Sequence, residues 1–180
     1  MSNLSTDTRR NRLGRARIAL AAVAVVVGTV AAGHTAASAS QTVTYYELRA
    51  QHSDKCVDIE GISPNNGAHA IQWGCWGGHN QMFRLNYTSD GYYEIRPWHT
   101  DKCLDVAGIS TGNGAHIVQW DCWGGWNQQF KLNYVGNGFY ELRARHSDKC
   151  VDVTGISIAD GAHLIQWDCW GGGNQHFKLA

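Results

Sequence analysis

The sequence predicts an all-β domain that is closed by threefold symmetry from three repeats of 47 residues. The first observation is that six cysteines, at positions 56, 75, 103, 122, 150 and 169, form pairs 19 residues apart that recur every 47 residues. The second is that each repeat contains four short strand-like runs, separated by turns rich in glycine, asparagine, aspartate and serine. Twelve short strands in three equal groups favour a β-trefoil, because its closure leaves no exposed sheet edge.

The strands are predicted from these runs in each repeat. In the first repeat they cover residues 45–50, 56–61, 70–76 and 82–87, and no segment has the apolar spacing of an amphipathic helix. In every repeat an Asn-Gln-x-Phe motif is followed by a leucine two positions on, which places the two apolar side chains on one strand face. We expect them to fill the core. They are Phe83, Phe130, Phe177, Leu85, Leu132 and Leu179.

An export signal is predicted at residues 1–39. Five arginines precede an uncharged apolar run at 18–33, and Ala37-Ser38-Ala39 resembles a cleavage site. The run is shorter than the roughly 20 residues that span a membrane. We therefore expect a secreted, extracellular domain at 40–180 with no membrane span after cleavage, and with repeats at about 40–86, 87–133 and 134–180.

Charge and cysteine content narrow the class of partner. The part that follows the signal has 10 basic and 14 acidic residues, which argues against a nucleic-acid partner. All six cysteines lie in this part, and an even number behind an export signal predicts disulfides. Their even spacing predicts the pairs Cys56–Cys75, Cys103–Cys122 and Cys150–Cys169.

Three motifs recur in register and resemble a known family. The first is Cys-x-Asp, as in Cys-Val-Asp-Ile at 56–59; the second is a tryptophan two residues before the second cysteine; the third is Asn-Gln-x-aromatic, beginning five residues after that cysteine. Together, over residues 45–179, they resemble the ricin-type lectins. The resemblance implies a β-trefoil that binds galactose-like or pentose-containing glycans.

Sugar recognition requires a flat ring against the apolar face of the pyranose and directional groups for its hydroxyls. In each repeat the resemblance assigns these roles to an aspartate, two tryptophans and an Asn-Gln pair, in which the glutamine supports the aspartate or asparagine. The two tryptophans lie on opposite faces of an ideal strand, so one of each pair is expected in the core, and Trp73 is favoured as the platform. The residues are Asp58, Trp73, Trp76, Asn80 and Gln81 in the first repeat, Asp105, Trp120, Trp123, Asn127 and Gln128 in the second, and Asp152, Trp167, Trp170, Asn174 and Gln175 in the third.

The sequence departs from the family pattern in two places. Phenylalanine replaces the usual tryptophan of the last motif. A glutamine that family members carry four residues before the second cysteine is displaced by one position, to Gln72, Gln119 and Gln166. A one-residue shift reverses the face of a strand, so either a bulge restores the contact with the sugar or the glutamine makes none.

The sequence favours a binding protein without cofactor over an enzyme. The repeated acids are equivalent by symmetry, whereas glycoside hydrolysis needs two carboxylates of different pKa. Histidines recur at 52, 99 and 146 and at 69, 116 and 163, but their spacing within a repeat suits turns or packing better than a metal site. We expect a monomer. The alternative function is a β-trefoil that binds or inhibits another protein without binding sugar.

Overall fold

The computed structural model describes residues 42–180. The predicted export signal and its cleavage site lie outside these residues. Within them, no helix is long and apolar enough to cross a membrane.

Twelve antiparallel strands form the β-trefoil, as predicted. Six of them, β1, β4, β5, β8, β9 and β12, pair successively into a barrel that closes through β12 and β1. The other six form three hairpins, β2–β3, β6–β7 and β10–β11. The strands are β1 (Tyr46–Ala50), β2 (Cys56–Ile59), β3 (Ala70–Trp73), β4 (Met82–Tyr87), β5 (Tyr92–Pro97), β6 (Cys103–Val106), β7 (Ile117–Trp120), β8 (Phe130–Gly136), β9 (Phe139–Ala144), β10 (Cys150–Val153), β11 (Leu164–Trp167) and β12 (His176–Leu179).

Two strands of each repeat end earlier than the sequence predicts. The run 56–61 stops at Ile59 because a 3₁₀ turn, Glu60–Ile62, follows, with Gly61 and Ile62 at positive φ. The run 70–76 stops at Trp73, where the pairing with β2 ends. The same turn recurs at Ala107–Ile109 and Thr154–Ile156.

The core contains the three predicted phenylalanines. Phe83, Phe130 and Phe177 are almost completely buried. The leucines that follow them are only partly buried and pack against the edge of the core. They line an opening at one end of the barrel, so the prediction that they fill the core is wrong.

Each repeat contains one disulfide, with the predicted pairing. Cys56–Cys75, Cys103–Cys122 and Cys150–Cys169 have Cα–Cα distances of 5.1–5.2 Å. Each bond joins the second strand of a repeat to the segment that follows its third strand, so it links the two arms of one hairpin.

The displaced glutamines join neighbouring repeats. Gln72 lies opposite Val57 in regular pairing and is 1% exposed, so no bulge turns it outward. Its Nε2 donates to the carbonyl oxygens of Ser157 and Ala159 in the third repeat, at 2.6 and 2.9 Å. Gln119 and Gln166 make the corresponding bonds to the first and second repeats. These glutamines are therefore structural and do not face a ligand.

One set of recurring histidines forms contacts at the same junctions between repeats. Nε2 of His52 lies 2.8 Å from the Ser157 carbonyl oxygen, next to the bond from Gln72. His99 and His146 contact the equivalent serine carbonyls, Ser63 and Ser110. This agrees with the interpretation of these histidines as packing residues.

Replacing Gln119 with leucine should destabilise the whole domain. The variant leaves the Asn65 carbonyl and the Thr100 hydroxyl, which both bond to Gln119, without their partner in a partly buried junction. Unmade hydrogen bonds of this kind lower the free energy of unfolding by about 1–3 kcal/mol. Denaturant unfolding measures the loss, with Lys178→Ala, at an exposed position, as the control. Equal stability of the two variants would show that the junction does not depend on this bond.

Candidate functional site

Three equivalent clefts lie on the surface, one per repeat. The first is bounded by Asp58, Ile62, Trp73, Trp76 and Asn80. The second and third are bounded by the same residue types, at Asp105, Ile109, Trp120, Trp123 and Asn127, and at Asp152, Ile156, Trp167, Trp170 and Asn174. Their volumes are about 270, 500 and 380 Å³, so the first is slightly smaller than typical small-molecule sites and the third is at the lower end of their range.

Both tryptophans of each repeat face the cleft. Trp73 is 45% exposed and Trp76 is 58% exposed, and their counterparts are similar. The expectation that one of each pair lies in the core is therefore wrong. Because β3 ends at Trp73, the alternation of a strand no longer determines the direction of Trp76.

A glycine allows the second tryptophan to lie close to the backbone. A Cβ on Gly78 would lie 2.1 Å from the Trp76 ring and 2.7 Å from Oδ1 of Asn80. Gly125 and Gly172 are equally restricted by Trp123 and Trp170. The Gly-Gly turn therefore leaves space for both the tryptophan ring and the asparagine amide that line the cleft.

Each cleft also includes part of another repeat. Gly161, in the third repeat, lines the first cleft, and a Cβ there would contact the edge of Trp73 at 3.9 Å. Gly67 and Gly114 are placed in the same way beside Trp120 and Trp167. The clefts therefore depend on the closure of the ring of repeats.

A buried aspartate forms the base of each cleft. Asp58 is 5% exposed; its Oδ1 accepts from Nδ2 of Asn80 at 2.8 Å and its Oδ2 accepts from Nε2 of Gln81 at 2.9 Å. In the other repeats Gln128 and Gln175 make the second bond. The amides of Asn127 and Asn174 donate instead to the carbonyls of Val106 and Val153.

The asparagine offers an acceptor that the protein does not use. Oδ1 of Asn80 is buried and has no hydrogen-bond partner among residues 42–180, and the same holds for Asn127 and Asn174. Buried polar atoms are usually paired. The oxygen is almost inaccessible to solvent, so a ligand donor can bond to it after a shift of the asparagine side chain.

Gln81 lies behind the aspartate and not in the cleft. It is fully buried, and its Oε1 accepts from the backbone N–H of Trp76 at 2.9 Å while its Nε2 also donates to the Gly74 carbonyl. It thus connects the carboxylate of Asp58 to the loop that carries the second tryptophan. Gln128 and Gln175 do the same. These are the contacts that the predicted supporting role requires, and the role itself stays a prediction.

Burial raises the pKa of Asp58, Asp105 and Asp152 above the usual value of an aspartate. Hydrogen bonds from the neighbouring amides oppose this effect and only partly compensate for it. Ionisation of the aspartate at the base of each cleft therefore lowers the stability of the fold, whereas ionisation of an exposed, paired aspartate does not.

Sequence reasoning missed one residue of each cleft. Ile62, Ile109 and Ile156 have φ of 53–55° and are 54–55% exposed. A β-branched residue in this region is strained, and here the strained backbone holds an apolar side chain at the edge of the cleft. The signal in the sequence was Gly-Ile-Ser, which recurs at 61–63, 108–110 and 155–157.

Comparison with known proteins identifies the family that the sequence motifs resemble. The sequence model of the ricin-type β-trefoil lectin domain matches residues 44–177. No curated protein sequence matches the chain.

Solved structures share the fold. The designed threefold-symmetric protein ThreeFoil is 46% identical, with a TM-score of 0.75, over 76% of this chain and 97% of its own. An exo-β-1,3-galactanase from Clostridium thermocellum is 34% identical, with a TM-score of 0.75, over 78% of this chain but 30% of its own. The C-half of the earthworm R-type lectin, solved with GalNAc, is 23% identical, with a TM-score of 0.59, over 75% of this chain and 96% of its own, and shows the fold alone.

Replacing Asp152 with asparagine should change how stability depends on pH. Since the pKa of Asp152 is raised on folding, its contribution to stability is present below the unfolded pKa and is lost as the pH rises through the folded pKa. The variant does not lose this contribution as the pH rises. The free energy of unfolding of the variant minus that of the parent should therefore be larger at about pH 7 than at about pH 3. Denaturant unfolding at both pH values measures the difference.

Asp168→Asn in the same repeat is the matched control, with the opposite sign. Hydrogen bonds from Lys149 and Asn113 lower the pKa of Asp168, so its contribution is present at neutral pH and lost in acid. The same pH dependence in both variants would contradict the role of burial at Asp152.

Proposed function

Because the chain belongs to the ricin-type β-trefoil lectin family, we propose that each of its three clefts binds one galactose-like or pentose residue of a glycan. The observation that carries this proposal is the recurrence of exposed tryptophans beside a buried, supported carboxylate in all three repeats. The designed relative of 46% identity keeps the same fold over almost its whole length.

The first cleft contains the groups that sugar recognition needs. Asp58 accepts hydrogen bonds from ring hydroxyls, and the unpaired Oδ1 of Asn80 accepts another. Trp73, fixed at the end of β3, is the platform for the apolar face of the ring. Trp76 and Ile62 enclose the sugar from the sides. Gln81 positions the carboxylate without touching the ligand.

The three sites are individually weak and act together. A shallow cleft with few desolvated contacts corresponds to a monosaccharide Kd of about 0.1–10 mM. Three such sites on one small domain engage a branched or polymeric glycan at once, which raises the apparent affinity by roughly 10²–10⁴ where the spacing of the sugars matches.

We further propose that the domain is secreted, acts as a monomer and catalyses no reaction. The three aspartates share a bond from the buried glutamine and the same direction of pKa shift, so none is distinguished as an acid from another as a base. The similar part of the galactanase covers 30% of that enzyme's chain, which supports a binding module that can be attached to an enzyme.

Calorimetry with lactose should give about three sites per chain. Replacing Asp105 with asparagine should remove one, since the amide cannot accept as strongly from two hydroxyls. Lactose is the probe because it presents a galactose terminus. Asp90→Asn is the matched control, because Asp90 is 74% exposed and lies in the turn between β4 and β5, away from the clefts.

A loss of all binding in Asp105→Asn would contradict three independent sites. Full binding in that variant would show that the aspartate is structural. Absence of lactose, xylan and arabinan binding in the parent protein would reject the sugar-binding proposal and favour a protein-binding role.

Replacing Ile109 with asparagine should stabilise the fold and weaken the second cleft. Asparagine adopts positive φ more easily, so the free energy of unfolding should rise by about 1 kcal/mol. The apolar contact with the sugar is lost, so lactose binding at one of three sites should weaken. Unfolding and calorimetry measure the two effects, with Ile158→Asn, an exposed isoleucine outside the positive-φ set, as the control. A decrease in stability would show that the backbone of this turn is not strained.

A further inference from the structure

The second set of recurring histidines meets on the threefold axis. His69, His116 and His163 each immediately precede the second strand of a hairpin, and the three hairpins bring them together. Their ring centroids are 4.7, 4.7 and 5.1 Å apart, and their planes are inclined by 73–75°. The rings thus form a three-bladed arrangement around one point, although the histidines are 47 residues apart in sequence.

The nitrogens of this cluster are available to a ligand. One nitrogen from each ring lies within 4.8 Å of the other two. Nδ1 of His69 and of His163 is buried and has no hydrogen-bond partner among residues 42–180, which is uncommon for buried polar atoms. His116 is exposed, so the cluster is open to solvent on one side.

The surroundings of His116 favour its neutral imidazole. Desolvation and the proximity of His69 and His163 lower the pKa of His116, because a proton on one ring is repelled by charge on the others. Neutral imidazole is the form that binds metal ions. The other recurring histidines also have an Nδ1 that is unpaired among residues 42–180, but His52 and its counterparts each contact a serine carbonyl and are not brought together.

We propose that His69, His116 and His163 bind one divalent transition-metal ion, of the zinc, nickel or copper class, on the threefold axis. Three imidazoles and an open fourth position for water form a known donor set for zinc, and imidazole also suits nickel and copper. The cluster contains no carboxylate, so magnesium and calcium, which require oxygen ligands, are excluded.

The geometry requires a small adjustment of the rings. A tetrahedral ion with bonds of about 2.1 Å holds its ligand nitrogens about 3.4 Å apart. The nitrogens, now within 4.8 Å of one another, therefore need to approach one another by at most about 1.4 Å on binding. Since each ligand comes from a different repeat, the ion joins all three hairpins at one point. It should stabilise the native fold by an amount that increases with the logarithm of the free ion concentration once this exceeds the Kd.

Titration of the tag-free protein with zinc chloride should show one ion per chain and a rise in Tm. Magnesium chloride should produce neither effect. His116→Asn should weaken zinc binding at least about tenfold, since it removes one of three ligands. His79→Ala is the matched control, because His79 is exposed and outside the cluster, and it should bind zinc as the parent does.

Cobalt provides a second measurement on the unmodified protein. Co²⁺ bound by three imidazoles and one water should give the intense visible absorption of a four-coordinate ion. The proposal is overturned if millimolar zinc does not bind. It is also overturned if His116→Asn, still folded by circular dichroism, binds zinc as tightly as the parent, or if cobalt keeps its six-coordinate aqueous spectrum.

Discussion

A buried glutamine that reaches into the neighbouring repeat is the interaction on which most of the structure depends. Nε2 of Gln119 donates to the carbonyl oxygens of Ser63 and Asn65, at 2.6 and 2.9 Å. Ser63 directly follows Ile62, which lies at the edge of the first cleft. The bond that closes the ring of repeats therefore also fixes part of a binding site, and a defect at one junction affects the cleft beside it.

Much of the fold could be predicted from the period of the sequence. Cysteines 19 residues apart in every repeat indicated the disulfides, and short runs between turns indicated the strands. The buried role of Phe83 followed from its position relative to the Asn-Gln pair. Where sequence and structure differ, the cause is local. Trp76 lies beyond the end of β3, and no residue pattern showed where that pairing would stop.

Contacts between repeats could not be predicted in the same way. The sequence showed that Gln72 is displaced by one residue from the glutamine of the family. It did not show that the displaced side chain bonds to a carbonyl of the third repeat. A metal site was judged by histidine spacing within one repeat, yet symmetry brings His69, His116 and His163 together from three. In a symmetric fold, a residue that occurs once per repeat can form a cluster on the axis.

The repeats differ at one position where they join. The position after the Gly-Gly turn contacts the next repeat in each case, but the chemistry changes. His79 stacks on Trp98 with a centroid distance of 3.7 Å, whereas Trp126 lies under the guanidinium of Arg145 at 4.8 Å. At the third junction a glycine, Gly173, takes this place. The junctions therefore differ at this position, although the glutamine and histidine bonds between repeats are the same at all three.

The placement of the disulfides also bears on how three near-identical repeats avoid incorrect assembly. During folding, a strand from one repeat can pair with the equivalent strand of another, because their sequences are similar. Each disulfide links the two arms of its own hairpin, so an oxidised hairpin cannot exchange a single strand with its copies. Exchange of whole hairpins, or of the barrel strands that carry no disulfide, is not prevented in this way, and between molecules it produces domain-swapped oligomers.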